Sequence, residues 1–315
     1  MVTHNSPFIQ TDKQRTIGRI AVGVDTRGRS VSALVWAVEE AEREGTALML
    51  VSARRKATTT ADPVGEHDLG ALARRLTLAD VDKREVVGEP VEALLRAAAE
   101  ADLLTVGCRS MPATQRMVMG STSRTVAQWA PVPVVVVPEA WMQPAMATAP
   151  IVAGVRPWEP DKASADGQDQ EVLEFAFARA AALKVPLVVV STWDIPTVYA
   201  WSAEDVERLR SEHDDALTER VAQWRDAYPE VQVEPRSIAE KPSQAILEAS
   251  RVAQLVVVGR HHSATLSGLL GSTARGVLHH STRPVAVVPS GSREELIHDL
   301  DMQRVGTDRS WAPMF

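Results

Sequence analysis

Two stretches of the chain carry residues whose types and spacing can do chemistry. Leu103 to Pro138 and Leu255 to Pro289 each read as a short apolar strand, a glycine, a polar loop, a Gly-Ser pair, a helix and a second apolar strand closed by proline. In the first stretch Gly107 lets the backbone leave the strand with little steric hindrance. Gly120 and Ser121 stand where a helix begins, so free N–H groups and the positive helix end favour a phosphate there, and the serine hydroxyl adds a donor. Asp25 follows Val24 at the end of an earlier apolar strand, where its carboxylate can accept from an amino group or a sugar hydroxyl. Arg109 and Arg116 are candidates for phosphate contacts, and Ser110 lies between them. The second stretch repeats Gly259, Gly271 and Ser272. Taken singly these features are ordinary, since Gly-Ser is a common helix cap and a strand-end aspartate a common turn former. Their joint placement in strand order is what points to a ligand.

The elements that position these residues recur. Arg19–Val24 reads as a strand, Ser30 as the cap of a helix to about Glu44, Gly45 as its stop, and Ala47–Ala53 as the next strand. A polar loop, a weak helix over Asp68–Leu78 and a strand over Val81–Val87 follow. Pro90 opens a helix in the position where proline is tolerated. The order β-α-β-α-β-α-β-α-β with continuous apolar strands predicts a parallel sheet covered on both faces. The order then repeats, with strands at Ile151–Val155, Leu187–Ser191 and Val231–Ser237, helices at Gln170–Leu183 and Glu204–Ala227, and a further helix opened by Pro242. Gly107 and Gly259 lie 152 residues apart but Val24 and Val155 only 131, so the second half carries the longer loops and helix. The predicted division is a disordered lead over 1–16, a domain over 17–138, a linker over 139–149, a second domain over 150–290 and a charged tail over 291–315 with a short helix near Arg293–Leu300.

Bulk properties narrow the function. The 315 residues, 45% apolar, allow two domains with real cores. The net charge of −7 is spread along the chain and argues against a nucleic-acid partner. No apolar run reaches membrane length, and the N-terminus lacks a signal-peptide pattern. The lone cysteine, Cys108, excludes an intramolecular disulfide. A cytoplasmic protein is the expectation.

With these residues in place, the chain resembles a tandem universal stress protein, two copies of the domain in one polypeptide. Val24-Asp25, Val87-Gly-Glu-Pro90, the apolar strand into Gly107, and Gly120-Ser121 before a helix and an apolar strand carry the resemblance, over about residues 17–138 and 150–290. It implies two Rossmann-like, doubly wound α/β domains of the adenine nucleotide alpha hydrolase-like class, each a five-stranded parallel sheet in the order 3-2-1-4-5. It also implies that the last strands, Val132–Val137 and Pro284–Val288, pair across the halves, giving an intramolecular pseudo-dimer that can pair again as a homodimer. The ligand implied is ATP, taken with magnesium, with the acidic strand-end residue on the base or ribose side and the glycines and serine on the triphosphate.

The family pattern is Gly, two residues, Gly, nine residues, Gly, then Ser or Thr. The first half keeps Asp25, Gly107, Gly120 and Ser121 and departs at Ser110, where the pattern has a glycine. In the second half Arg156 stands at the aspartate position with Pro157 after it, His262 replaces the second glycine, and eight residues rather than nine separate it from Gly271. An arginine has no acceptor to offer. The second half is therefore expected to bind ATP weakly or not at all, and to hold another anion or act as structural partner.

Other features have plainer readings. His261, His262, His279 and His280 form two pairs, but no acid or cysteine stands at ligand spacing, so a metal site is disfavoured. Cys108 after a buried strand reads as inert. Trp36 and Trp224 read as core; Trp158, Trp193 and Trp201 as packing under loops. Glu39, Glu40, Glu42 and Glu44 read as a solvated helix face. No base stands paired with a nucleophile. The expected function is nucleotide-dependent stress signalling through a protein partner; the alternatives are a nucleotide-independent interaction scaffold and a slow ATPase.

Overall fold

A computed structural model describes residues 17–25, 30–54, 81–110, 117–118, 120–143, 146–157, 169–195, 202–260 and 270–305. The first half comprises β1 (Arg19–Gly23), α1 (Val31–Glu44), β2 (Ala47–Arg54), β3 (Val81–Val87), α2 (Pro90–Glu100), β4 (Leu103–Ser110), β5 (Met117–Val118), α3 (Ser121–Trp129) and β6 (Val134–Pro138). The second comprises β7 (Ile151–Gly154), α4 (Gln170–Leu183), β8 (Leu187–Thr192), α5 (Ala203–Arg225), β9 (Val233–Ile238), α6 (Pro242–Ala249), β10 (Leu255–Gly259), α7 (Ser272–His280) and β11 (Val285–Val288), and α8 (Arg293–Val305) follows.

The strand order is β3-β2-β1-β4-β6 in the first half and β9-β8-β7-β10-β11 in the second, so each half has the predicted 3-2-1-4-5 arrangement. Neighbours within each half on this path run parallel. The two halves join into one continuous sheet through an antiparallel seam, with Val134, Val135 and Val136 of β6 opposite Val287, Ala286 and Val285 of β11. The valine runs suit this place because both sheet faces are covered and β-branched side chains pack well on a pleated surface. The outer strands β3 and β9 alternate partly buried and exposed positions and carry charge, and β9 holds Pro235. These are edge-strand properties that discourage further pairing.

One face of the sheet is covered by α1, α4 and α5, the other by α2, α3, α6 and α7, and each core runs through both halves. Phe177, Trp224 and Tyr228 stack with ring centroids 5.7–6.4 Å apart on the first face. Local signals place the helices as expected. Gly45 ends α1 at φ 63°, and Pro90 and Pro242 open α2 and α6.

Several expectations are corrected. The chain does not enter a loop at Gly107; β4 continues through Ser110, because Arg109 and Ser110 pair with Val118 and Met117 of β5. Ser30 precedes α1 but makes no side-chain cap. The acidic run on α1 is only partly solvated: Glu40 is buried, and Arg179 of α4 pairs with it and with Glu44, the latter at 2.7 Å. Trp141 of the linker is a core residue. The C-terminal helix is longer than expected, and Arg293 at its start donates to Asp102 at 2.7 Å and to the Ala99 carbonyl at 2.8 Å, tying it to the first half. The lead over 1–16, the Asp68–Leu78 helix, Arg116, Trp158, Trp201, His261 and His262 lie outside the described residues.

Candidate functional site

The first cavity, of about 570 Å³, opens beyond the carboxyl ends of β1 and β4, at the point where strand order reverses. Val24 keeps the strand line for one more residue by donating to the Val51 carbonyl at 2.9 Å. The chain then turns at Asp25. The Asp25 N–H donates to the Ser30 hydroxyl at 3.0 Å, while the N–H and hydroxyl of Ser30 both donate to Asp25 Oδ1 at 3.2 Å. Ser30 thus holds the carboxylate on the cavity wall instead of capping α1.

The opposite wall is the start of α3. Gly120 is its N-cap, and the first helical bond runs from the Arg124 N–H to the Gly120 carbonyl at 3.1 Å. The N–H groups of Ser121, Thr122 and Ser123 are left without partners inside the helix. The Ser123 hydroxyl donates to the Gly107 carbonyl at 2.7 Å and locks the helix start to β4. Gly120 has ordinary extended dihedrals, and a Cβ there would meet nothing within 4 Å, so the fold itself makes no demand for glycine. Arg109 is exposed and also lines the cavity. Cys108 is buried, and burial, helped by the nearby charge of Glu139, pushes its thiol up to about 12. This is the reverse of an activated cysteine.

The structure brings together Val24, Asp25, Gly107, Arg109 and Gly120 on one cavity. Ser121 is the first residue of α3 and is exposed, but the lining hydroxyls come from Thr122 and Ser123. The backbone of Ser110 lies in β4, and its side chain is outside the description. Sequence reasoning passed over Ser30, Thr122 and Ser123. The usable signal was position: a hydroxyl five residues after the aspartate and two more just after Gly120-Ser121.

The second cavity, of about 300 Å³, has the same backbone plan and different chemistry. Val155 donates to the Val190 carbonyl at 2.9 Å, as Val24 does to Val51, so Arg156 occupies the station of Asp25. The acid here is Asp169, the buried N-cap of α4. Its Oδ2 accepts the Arg156 N–H at 3.0 Å and the Arg220 guanidinium at 2.5 Å, and its Oδ1 lies 3.5 Å from Arg156 Nε. Arg220 also donates to the Arg156 carbonyl at 3.2 Å. Strand-end acid with helix-start hydroxyl has become strand-end cation with helix-start acid.

Gly259 ends β10, and Gly271 and Ser272 open α7; all three line this cavity. After Gly259 the side chain of Arg260 turns toward the first half and donates to the Ala130 carbonyl at the end of α3, at 2.6 Å. Burial lowers its guanidinium to about 10. His279 and His280 sit side by side at the end of α7 with ring centroids 5.1 Å apart. Among the described residues no three His, Cys, Asp or Glu side chains group as metal ligands, and no helix is long and apolar enough to cross a membrane. Trp36, Trp193 and Trp224 are buried, Trp193 stacked on His213 at 5.3 Å.

A doubly wound sheet duplicated within one chain, with a crevice at each switch point, defines a tandem α/β protein of the doubly wound class. The model of the universal stress protein family matches residues 16–138 and 164–289, and the chain belongs to this family. A universal stress protein of Mycobacterium tuberculosis is 28% identical over 299 residues, covering 87% of this chain and 98% of its own. One from Mycolicibacterium smegmatis is 30% identical over 300 residues, covering 85% and 96%. Among solved structures, a universal stress protein from Archaeoglobus fulgidus superposes with a TM-score of 0.64 at 16% identity, over 88% of this chain and all of its own. A functionally unknown protein from Pseudomonas aeruginosa gives 0.64 at 16% over 92% and 98%.

Proposed function

We propose that the first cavity binds an adenine nucleotide, ATP with magnesium, and that occupancy regulates the contacts of the chain with a protein partner in the cytoplasm. The observation that carries this reading is the opposition of Asp25 to the N-terminus of α3 across a cavity of about 570 Å³. Asp25 offers carboxylate acceptors on the base and ribose side. The unfilled N–H groups and hydroxyls at the start of α3, with Arg109 beside them, offer the donors a polyphosphate needs. Val51, Ala53 and Leu94 supply an apolar floor for a base. The volume falls in the range of small-molecule sites. The residues present therefore fit the group that the family pattern implies. The bound nucleotide would supply charge and shape that bias a partner surface, and the chain's own residues hold and orient it.

Thermal denaturation of the full chain with and without ATP and magnesium tests the reading. A ligand that binds only the folded state stabilises it by about 2.7 kcal/mol at a hundredfold excess over its Kd. The expected result is a clear upward shift that Asp25→Ala removes. An unchanged midpoint in the intact chain would leave the nucleotide-independent scaffold, and sustained phosphate release would favour the slow ATPase.

A further inference from the structure

We propose that Arg260 of the second half is a positioning residue for the first cavity: from the far end of α3 it steadies the helix whose start faces the polyphosphate. The inference rests on the nucleotide reading of that cavity and adds the part that the second half plays in it.

The helix concerned is short. The nine residues of α3 span about 14 Å. An isolated helix of this length is marginal, because few bonds offset the cost of its nucleus. The N–H groups of Ser121, Thr122 and Ser123 therefore stay aligned only while the helix is held from outside. At its start the hold comes from the first half, where the Ser123 hydroxyl donates to the Gly107 carbonyl at 2.7 Å. At its end the hold comes from the second half. Ala130 is the C-cap, and its N–H donates to the Val126 carbonyl at 2.9 Å. Its carbonyl accepts Arg260 Nη1 at 2.6 Å. Arg260 is 3% exposed, so this charge-assisted bond is shielded from water and salt. A cation at the negative end of a helix also stabilises it through the macrodipole.

The backbone of Arg260 is itself fixed. Its N–H donates to the Val288 carbonyl of β11 at 2.8 Å, and its carbonyl accepts the N–H of Gly271, the N-cap of α7, at 3.2 Å. One residue thus closes the start of α7 with its backbone and the end of α3 with its side chain. The first half has no matching cation. The residue after Gly107 is Cys108, and a thiol supplies no charged donor. The C-cap of α7, Ser281, turns its hydroxyl to the Arg283 carbonyl of its own half at 2.9 Å. The guanidinium clamp runs one way, from the second half to the helix of the first cavity.

Linkage gives the consequence. A polyphosphate at the start of α3 and a guanidinium at its end favour the same ordered helix, so each strengthens the binding of the other. The coupling passes through α3 and not through Asp25. ATP should therefore feel it, and adenosine, which lacks phosphates, should not.

ATP with magnesium, and adenosine, are titrated calorimetrically into the full chain and into Arg260→Met and Arg260→Lys, at a temperature where circular dichroism shows each chain folded. Hydrogen exchange of the α3 amides is measured on the same proteins without ligand. Arg260→Met should weaken ATP by about threefold to tenfold and leave adenosine unchanged. Arg260→Lys, which keeps a cation, should recover part of the loss. The amides of Arg124–Ala130 should exchange faster in Arg260→Met than in the parent. Should Arg260→Met fail to fold, Arg260→Gln replaces it with the same expectations. Unchanged ATP affinity, an equal loss for ATP and adenosine, or α3 exchange no faster than in the parent would overturn the proposal. A parent chain that binds no ATP would overturn the nucleotide reading first, and this inference with it.

Discussion

The guanidinium of Arg260 donates to the carbonyl of Ala130 across 2.6 Å, tying the wall of the second cavity to the end of the helix that begins at the first. Ala130 is the C-cap of α3, so the cation sits at the negative end of that helix. Two effects oppose each other when the charge is removed. The carbonyl loses a charged donor, and the fold no longer pays to bury a guanidinium whose burial lowers it to about 10. Arg260→Met, which keeps the stem volume, should therefore leave stability within about 1 kcal/mol of the parent. Arg260→Ala also opens a void and should cost about 2–5 kcal/mol. Urea denaturation of both variants distinguishes packing from charge.

The exchange of roles between the halves makes a single back-substitution at Arg156 fail. Arg156→Asp would set a second carboxylate beside buried Asp169, whose Oδ1 now lies 3.5 Å from Arg156 Nε. Like charges at that range destabilise each other, and one would take up a proton. The expected outcome is a less stable chain with no second nucleotide site. Arg156→Asp with Asp169→Ser restores the pairing of Asp25 with Ser30 and should recover most of the lost stability. Chemical denaturation of the single and double variants, with nucleotide titration of each, checks both halves of the statement.

The ion pair between Arg179 and Glu40 crosses from α4 to α1, with both side chains almost fully buried. Removing Arg179 takes a cation from both Glu40 and Glu44, although Arg43 still pairs with Glu40. Arg179→Met should therefore destabilise by about 3 kcal/mol, whereas Arg179→Met with Glu40→Leu should recover only part of it, because Glu44 stays without its partner. A double-mutant cycle in urea gives the coupling directly.

Cys108 should be silent toward thiol reagents in the native chain. With its thiol pushed up to about 12 by burial, the thiolate is scarce at pH 8 and its access is closed. The labelling rate should remain low as pH rises through the ordinary thiol range and increase sharply only when denaturant is added. Fast labelling of native protein at pH 8 would contradict the burial described here.

Much of the architecture was legible before any coordinates. The valine runs of Val134–Val137 and Leu255–Val258 could only be covered strands, and Pro90, Pro242 and Gly45 mark helix ends by their own stereochemistry. What escaped notice depended on partners distant in the chain. The polar end of β4, Cys108-Arg109-Ser110, has no apolar pattern and is strand because β5 folds back on it. Glu40 reads as solvated until Arg179, 139 residues away, is set beside it. Asp169 could not be matched with Arg156 because 12 residues of sequence separate them, against four between Asp25 and Ser30. Asp25, Gly107 and Gly120 could be placed on one cavity because they keep familiar intervals; the acid of the second cavity could not, because it had migrated from strand to helix.

The seam where Val134–Val136 meet Val285–Val287 lies within one polypeptide. In a dimer of identical subunits, any alteration of one crevice is copied into the other, and the two must keep the same specificity. Covalent fusion breaks that symmetry while holding the partner domain permanently at hand, whatever the dilution. One crevice is then free to keep its strand-end acid, Asp25, while its twin carries Arg156 at the same station, and the two diverge inside a single molecule.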